Sequence, residues 1–359
     1  MKLLILTQKV DINDDVLGFM HGWIAEFAKH CDKLSVVCLQ KGEYDLPANV
    51  KVLSLGKEKL LNCYIAKLLY CWQFYRYIWK YRKEYDSVFV HMNKEYVVLG
   101  GVAWRLLSKR IGLWYTHKQV SLSLKIAEKL ADVIFTASKE SFRLASEKVK
   151  VIGHGINTDI FKPSENREKN DKFRILTVGR ISPIKDLKTL ARAVACLKQK
   201  NISLDIVGAA GTVEQEEYFQ EVRDLVAKKG IEDKINFIGS VPNREVLKYY
   251  QRADLFINMS LTGSLDKAVL EAMACELPIV SCNDAVIKDV LRSFKKELGF
   301  KKRSIKELAE RIDNLSKLDI NRRYSIGKEL RNIVIKDHNL AALIIKIKKI
   351  YQTNGKTSF

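Results

Sequence analysis

Short, nearly unbroken apolar runs rich in β-branched residues alternate along this chain with longer stretches whose apolar positions recur every three or four residues. The short runs predict strands at residues 2–7, 34–39, 50–53, 87–91, 112–115, 133–136 and 149–152. The periodic stretches predict helices, clearest at 21–30, 60–84 and 122–130. Strands that are apolar on both faces and alternate with helices imply an α/β fold with a doubly wound parallel sheet. The pattern then starts again, with strands expected at 173–178, 203–207, 235–238, 255–257 and 279–281 and helices at 187–200, 214–229, 244–250, 267–274 and 305–315. Between the halves, a polar run from Lys162 to Asp171 carries no apolar period. It predicts a linker over 162–172 between a Rossmann-like domain at 1–161 and a second at 173–339. After a break at Asp337-His338-Asn339, an amphipathic helix over 340–351 is expected to pack, within a tail reaching 359, back on the first domain. Two such domains joined by one linker predict an interdomain cleft with a ligand site at the carboxyl ends of the strands.

The content of 47% hydrophobic and 29% charged residues suits two packed cores. A net charge of +20 calls for nucleic acid, an anionic membrane surface or a phosphate-bearing substrate, and composition does not choose among them. Seven cysteines, at 31, 38, 63, 71, 196, 275 and 282, show no C-x-x-C and no His–Cys ligand spacing. They predict reduced thiols and a cytoplasmic protein. The opening Met1-Lys2-Leu3-Leu4-Ile5-Leu6 is too short for a signal peptide's apolar region, and no run reaches the length of a membrane-spanning helix. Segment 57–84 interleaves seven Lys/Arg with Trp72, Phe74, Trp79 and five tyrosines. That pattern suits docking on an anionic membrane surface at the inner face of the cell membrane. It equally suits a core helix with a solvated basic face, and both readings stand at this point.

Two stretches carry candidate chemistry. In Val178-Gly179-Arg180-Ile181-Ser182-Pro183-Ile184-Lys185-Asp186, a strand ends in glycine and two cations follow five residues apart. A planar guanidinium and a mobile ammonium suit a diphosphate, although a solvated basic loop has the same spacing. In Ser260-Leu261-Thr262-Gly263-Ser264-Leu265-Asp266-Lys267, a Gly-Ser turn runs into a helix, whose free amide N–H groups and dipole favour an anion. Glu271 lies on that helix among Val269, Leu270, Ala272 and Met273, so its carboxylate is expected to be buried and to need a partner, a ribose diol among the candidates.

These pieces carry a resemblance. The elements V-G-R…K at 178–185, G-S-V at 239–241 and L-E-A-M-A-C-E-L-P-I-V at 270–280 resemble the retaining glycosyltransferases of family four. More loosely, F-T-A-S at 135–138 and G-H-G-I-N…F at 153–161 do so in the first half. The resemblance implies a GT-B fold of two facing Rossmann-like domains and a transfer from a nucleoside-diphosphate sugar to a saccharide or lipid-linked acceptor, as in cell-surface polysaccharide or glycolipid synthesis. It implies that Arg180 and Lys185 bind the donor diphosphate and stabilise the departing charge, and that Glu271 holds the ribose. It further implies backbone contacts to the donor at Gly263, Ser264 and Leu265, at Gly239 and Val241, and at Gly18, with His117 beside the donor sugar and acceptor. His91 is a weaker acceptor-site candidate, and His154 is expected to be structural.

Three positions depart from the family's pattern. Gly263 stands where the first glutamate of E-x7-E is expected, Glu276 where glycine is common, and Asn157 where aspartate is frequent. Asp266 is a candidate to replace the missing carboxylate. A GT-B-like protein that binds a nucleotide sugar with reduced or lost catalysis is therefore the second reading. The pair Asp14-Asp15 raises a metal site, but no further ligand cluster accompanies it, and no metal or other cofactor is expected. No G-x-G-x-x-G follows Thr7, which argues against a nicotinamide enzyme, and no nucleic-acid-reading module is present.

Overall fold

The computed structural model describes residues 1–57, 64–165, 171–199 and 201–353. It divides into two compact units, one of Met1–Gly155, Pro242–Arg244 and Leu340–Phe359, the other of Ile156–Val241 and Glu245–Asn339. Among the described residues no helix is long and apolar enough to cross a membrane.

The first unit is built on seven strands: β1 (Lys2–Val10), β2 (Lys33–Lys41), β3 (Val50–Ser54), β4 (Ser87–His91), β5 (Arg110–Trp114), β6 (Val133–Thr136) and β7 (Val149–Val151). They form one sheet in the order β3-β2-β1-β4-β5-β6-β7, with every ladder parallel. Period-two alternation explains why β1 is apolar from Leu3 to Leu6. Leu3 and Ile5 enter one core with Trp23 and Phe27 of the helix Phe19–Ala28. Leu4 and Leu6 enter the core on the opposite face with Phe74 and Trp104, from the helices Tyr64–Lys80 and Lys94–Leu106. The helix Leu340–Thr353 packs in this unit, burying Leu343, Ile347 and Tyr351 against the first of these cores. The Tyr351 hydroxyl donates to the Val88 carbonyl at 2.8 Å, and a Cβ at Gly112 would collide with that hydroxyl, which accounts for the glycine.

The second unit has five strands: β8 (Phe173–Val178), β9 (Ile202–Val207), β10 (Ile235–Gly239), β11 (Leu255–Asn258) and β12 (Ile279–Ser281). Their order is β10-β9-β8-β11-β12, again all parallel. Strand order reverses between β8 and β11, and a reversal of this kind opens a crevice at the carboxyl ends of the two strands.

The structure differs from the sequence expectation in places. The division falls after Gly155, so residues 156–161, expected with the first domain, pack with the second. Ile156 and Phe161 sit in its core, and the Arg331 guanidinium donates to the carbonyls of Thr158, Phe161 and Ala274. Residues 166–170 of the expected linker, 58–63 of the basic aromatic segment and 354–359 of the tail lie outside the described residues. Among the described residues two long helices and the short Lys295–Leu298 were not anticipated. Lys94–Leu106 contains Gly100-Gly101, which lowers helix propensity, but a Cβ at either would strike Trp104 or Leu130. Ile320–Asp337 is strongly basic and buries only a narrow stripe of Ile326, Leu330 and Val334.

Candidate functional site

The second unit's switch point gathers most of the expected residues. At the end of β8, Gly179 takes a φ of 144°, and a Cβ there would come within 3.3 Å of Lys185 Cε. Glycine therefore leaves the space over which the lysine side chain lies. Pro183–Lys185 forms a single 3-10 turn, and Asp186 follows at a φ of 38°, a left-handed conformation that aspartate tolerates better than most residues. The Leu261 amide donates to the Ile184 carbonyl at 3.0 Å, which ties this turn to the loop leaving β11. Lys185 Nζ meets Asp266 Oδ2 at 2.8 Å. Arg180 is exposed and, among the described residues, has no hydrogen-bond or ion-pair partner, so its five donors face solvent.

The loop from Ser260 to Asp266 is held by side chains rather than by a ladder. The hydroxyls of Ser260 and Thr262 lie 3.0 Å apart, and Thr262 Oγ1 accepts from the Ser264 amide at 3.3 Å. Asn283 Nδ2 donates to the Ser264 carbonyl at 2.7 Å, and Asn258 Nδ2 donates to Asp266 Oδ2 at 2.7 Å. Gly263 sits at a φ of 68°, where a glutamate would be strained. The missing motif glutamate is thus part of the turn's backbone geometry. Glu276 also adopts a positive φ, 58°, which fits a position where glycine is common.

Glu271 is only 4% exposed on the helix Lys267–Ala274. The Tyr250 hydroxyl donates to its Oε2 at 3.1 Å, and Lys267 Nζ lies 2.9 Å from its Oε1. Burial pushes the Tyr250 hydroxyl well above its usual range and the adjoining carboxylate adds to this, which keeps it a donor. Burial also holds the Lys267 ammonium below the usual lysine range although Glu271 pulls it up. Tyr250 satisfies Oε2 and Lys267 offsets the charge, while Oε1 is buried without a hydrogen bond.

The remaining residues are placed elsewhere. Gly239 ends β10 at a φ of 83° with its carbonyl accepting from Gly208 at 2.8 Å, and Val241 packs on the second unit's core. Gly18 and His117 belong to the first unit. Gly18 opens the helix Phe19–Ala28, where a Cβ would run into the Asp14 carbonyl. His117 is exposed in the loop after β5, and its Nδ1 accepts from the Gln119 amide at 3.2 Å. His91 and His154 are buried against aromatic rings, His91 on Phe19 and Trp23, His154 on Trp114. Asp14 accepts from Lys9 at 2.7 Å and from the amides of Val16 and Leu17 at 2.9 and 2.6 Å, so it closes a turn. Among the described residues no group of three His, Cys, Asp or Glu is placed to hold a metal ion. Sequence reasoning missed Asn258, Ser281 and Asn283. Their signal was present as polar residues where the apolar runs of β11 and β12 stop.

Residues 159–333 match the family model of the glycosyl transferases group 1. Apart from Pro242–Arg244, the match falls within the second unit. The matched residues include Arg180, Lys185, the 260–266 loop and Glu271, and leave Gly18 and His117 outside them. The amylovoran biosynthesis glycosyltransferase AmsK of Erwinia amylovora is 29% identical over 154 residues, which are 41% of this chain and 36% of that protein. A phosphatidylinositol N-acetylglucosaminyltransferase component of Arabidopsis thaliana is 28% identical over 187 residues, 50% of this chain and 40% of that protein. The chain therefore spans less than half the length of these two relatives. The crystal structure of Anabaena Alr3699/HepE in complex with UDP superposes with a TM-score of 0.75 over 98% of this chain and 100% of that one, at 17% identity. At that identity the likeness establishes the fold, which is GT-B.

Proposed function

We propose that this chain is a retaining glycosyltransferase that moves a sugar from a nucleoside-diphosphate donor to a hydroxyl of a saccharide or lipid-linked acceptor, in cell-surface polysaccharide or glycolipid synthesis. One observation carries the reading. Lys185, the free Arg180 guanidinium and the turn into the helix Lys267–Ala274 meet at the β8/β11 switch point, inside the stretch that matches group 1. AmsK is named for amylovoran biosynthesis, and Alr3699/HepE has been crystallised with UDP and with UDP-glucose, which supports a sugar nucleotide as donor.

In this reading Arg180, Lys185 and the amides of Gly263, Ser264 and Leu265 neutralise the diphosphate as negative charge builds on it. The bond from the anomeric carbon to the phosphate oxygen breaks, and the acceptor oxygen bonds on the same face. Its proton passes to the leaving phosphate, so no carboxylate nucleophile is needed. Two cations at the diphosphate make a divalent metal unnecessary, and activity in EDTA checks this. Glu271 takes the ribose diol, Gly239, Val241 and Gly18 line the donor through backbone, and His117 serves the sugar and acceptor. The decisive experiment is a binding screen of UDP-, GDP- and ADP-sugars repeated with Lys185→Ala. Undiminished binding by the alanine variant would sink the phosphate assignment.

The left-handed Gly263 favours a second reading, a binding protein with reduced or lost catalysis. Binding without either transfer or donor hydrolysis would select it.

The basic aromatic helix gives the proposed location, peripheral at the inner face of the cell membrane. On Tyr64–Lys80, Phe74 and Ile78 face the core while Leu68, Trp72 and Trp79 are exposed, with Arg76 over the Trp72 ring at 5.3 Å. One face of this helix therefore packs in the core and the other is exposed. An exposed apolar and aromatic face among Lys67, Arg76 and Lys80 complements an anionic bilayer.

A further inference from the structure

The carboxyl ends of β11 and β12 carry a chain of hydrogen bonds that no motif of the resemblance accounts for. Asn258 and Ser281 are the last residues of the two strands and stand opposite each other in register. Both are buried, at 4% and 0% exposure. The Asn283 amide donates to Ser281 Oγ at 3.1 Å, and Ser281 Oγ donates to Asn258 Oδ1 at 3.0 Å. With its oxygen fixed in this way, Asn258 must turn its Nδ2 outward, where it donates to Asp266 Oδ2. Lys185 Nζ binds the same oxygen. Each donor in such a chain polarises the next, so the carboxylate is held more firmly than one hydrogen bond would hold it.

The consequence lies in the other oxygen. Asp266 Oδ1 has no partner among the described residues, and the side chain is 19% exposed. An ionised carboxylate only accepts, so its complement is a hydroxyl or amine and not a phosphate. We infer that Asn258 and Ser281 are positioning residues that aim Asp266 Oδ1 at a hydroxyl of the donor sugar, in place of the glutamate that Gly263 cannot supply. The inference rests on the donor reading above. Asp266 serves two ends of the donor at once, since one oxygen seats the lysine that meets the diphosphate and the other reads the sugar. Aspartate is shorter than glutamate, and its position three residues further along the turn compensates by starting from the helix end.

The test compares nucleotide with sugar nucleotide, using the pairs UDP and UDP-glucose, GDP and GDP-mannose, ADP and ADP-glucose. For the pair that the wild-type chain binds, Asp266→Ala is expected to weaken the sugar nucleotide by about ten- to a hundredfold, the worth of a hydrogen bond to a charged group. Ser281→Ala and Asn258→Leu are expected to weaken it by about tenfold. The bare nucleotide should hold its affinity in Ser281→Ala and Asn258→Leu, where Lys185 keeps its partner Asp266, and should change less than the sugar nucleotide in Asp266→Ala. Ser281→Ala removes one oxygen atom and is the variant that keeps the test valid if Asn258→Leu misfolds. Equal losses for nucleotide and sugar nucleotide would mean a merely structural role and overturn the inference. If no pair binds the wild-type chain, the donor reading fails and this inference falls with it. If Lys185→Ala abolishes diphosphate binding while Ser281→Ala leaves the sugar nucleotide untouched, the donor reading stands and the positioning role alone is overturned.

Discussion

The two units present the same topological feature and fill it differently. In the first sheet the order reverses between β1 and β4, in the second between β8 and β11. The second reversal is furnished with Asn258, Ser281, Asn283, Asp266 and Lys185, polar side chains that satisfy one another and still leave one carboxylate oxygen and the Arg180 guanidinium facing solvent. The strand ends of the first are closed by packing and by a turn. His91 lies among Phe19 and Trp23, and Asp14 is used up by Lys9 and two amides. A parallel sheet offers a crevice wherever its order reverses, but only polar residues at the strand ends turn that crevice into a binding site. The first unit's distinctive chemistry lies instead on an outer helix face. On the proposed function, the contrast gives the donor diphosphate to the second unit and leaves the acceptor to be read from surface character.

The sharpest way to break this contrast is Lys185→Ala. Losing one preorganised cation at a developing charge should reduce kcat/KM by about 10²- to 10³-fold, measured as sugar transfer at fixed acceptor. A loss below tenfold would mean that the second switch point is no more a site than the first. Glu271→Ala should act differently, because it strips partners from Tyr250 and Lys267 as well as the proposed ribose contact. It should lower unfolding stability by about 1–3 kcal/mol in a denaturant titration. Glu271→Gln keeps one acceptor for Tyr250, so it should recover part of that stability while donor affinity stays low. If stability and affinity recover together, Glu271 is a structural residue only.

What was legible in the sequence follows the same division. The apolar runs located all twelve strands among the described residues because strands buried on both faces leave an unbroken signal, and the proposed phosphate cations were visible because a glycine and two basic residues interrupt it. Lys94–Leu106 was hidden by Gly100-Gly101, whose reason is tertiary, the closeness of Trp104 and Leu130. Ser281 was read only as the end of a strand and Asn258 fell one residue past the expected strand 255–257, because one sequence does not reveal that two residues far apart in the chain stand opposite each other in register. The turn at Gly263 showed as a missing glutamate, and only its φ of 68° shows that the turn adopts a left-handed conformation in which a glutamate would be strained.

The outer face of the first unit is tested by vesicle co-sedimentation. The protein should bind vesicles containing anionic lipid and not neutral ones, and Arg76→Gln with Lys80→Gln should weaken binding by about tenfold, in keeping with roughly 1 kcal/mol per basic residue near such a surface. Indifference to lipid charge would return the helix to the reading of a solvated basic face. Trp72→Ala with Trp79→Ala separates the apolar part from the charge, because its effect should persist at high salt while the charge effect fades.

The smallest expected effect concerns the closed turn of the first unit, and its sign follows from the two pKa directions. Burial by itself raises the Asp14 carboxyl, but the hydrogen bonds from Lys9 and from the amides of Leu17 and Val16 outweigh it and leave it below the usual range. Burial likewise lowers Lys9, and the hydrogen bonds with Asp14 and Asp11 outweigh it and leave it raised. A depressed carboxyl adds stability that is fully present above its unfolded value, about 3.9, and is lost as pH falls through the lower folded value. A raised lysine adds stability that is present below about 10.4 and is lost as pH rises through the higher folded value. Because both side chains are partly exposed, the pair is worth about 1 kcal/mol or less. Asp14→Asn keeps acceptors for Val16 and Leu17 and removes only the charge. Its melting temperature should lie below that of the wild-type chain at pH 7, and the gap should close between about pH 4 and pH 2. A gap that stays constant across that range would mean that the turn is held by its amide hydrogen bonds alone.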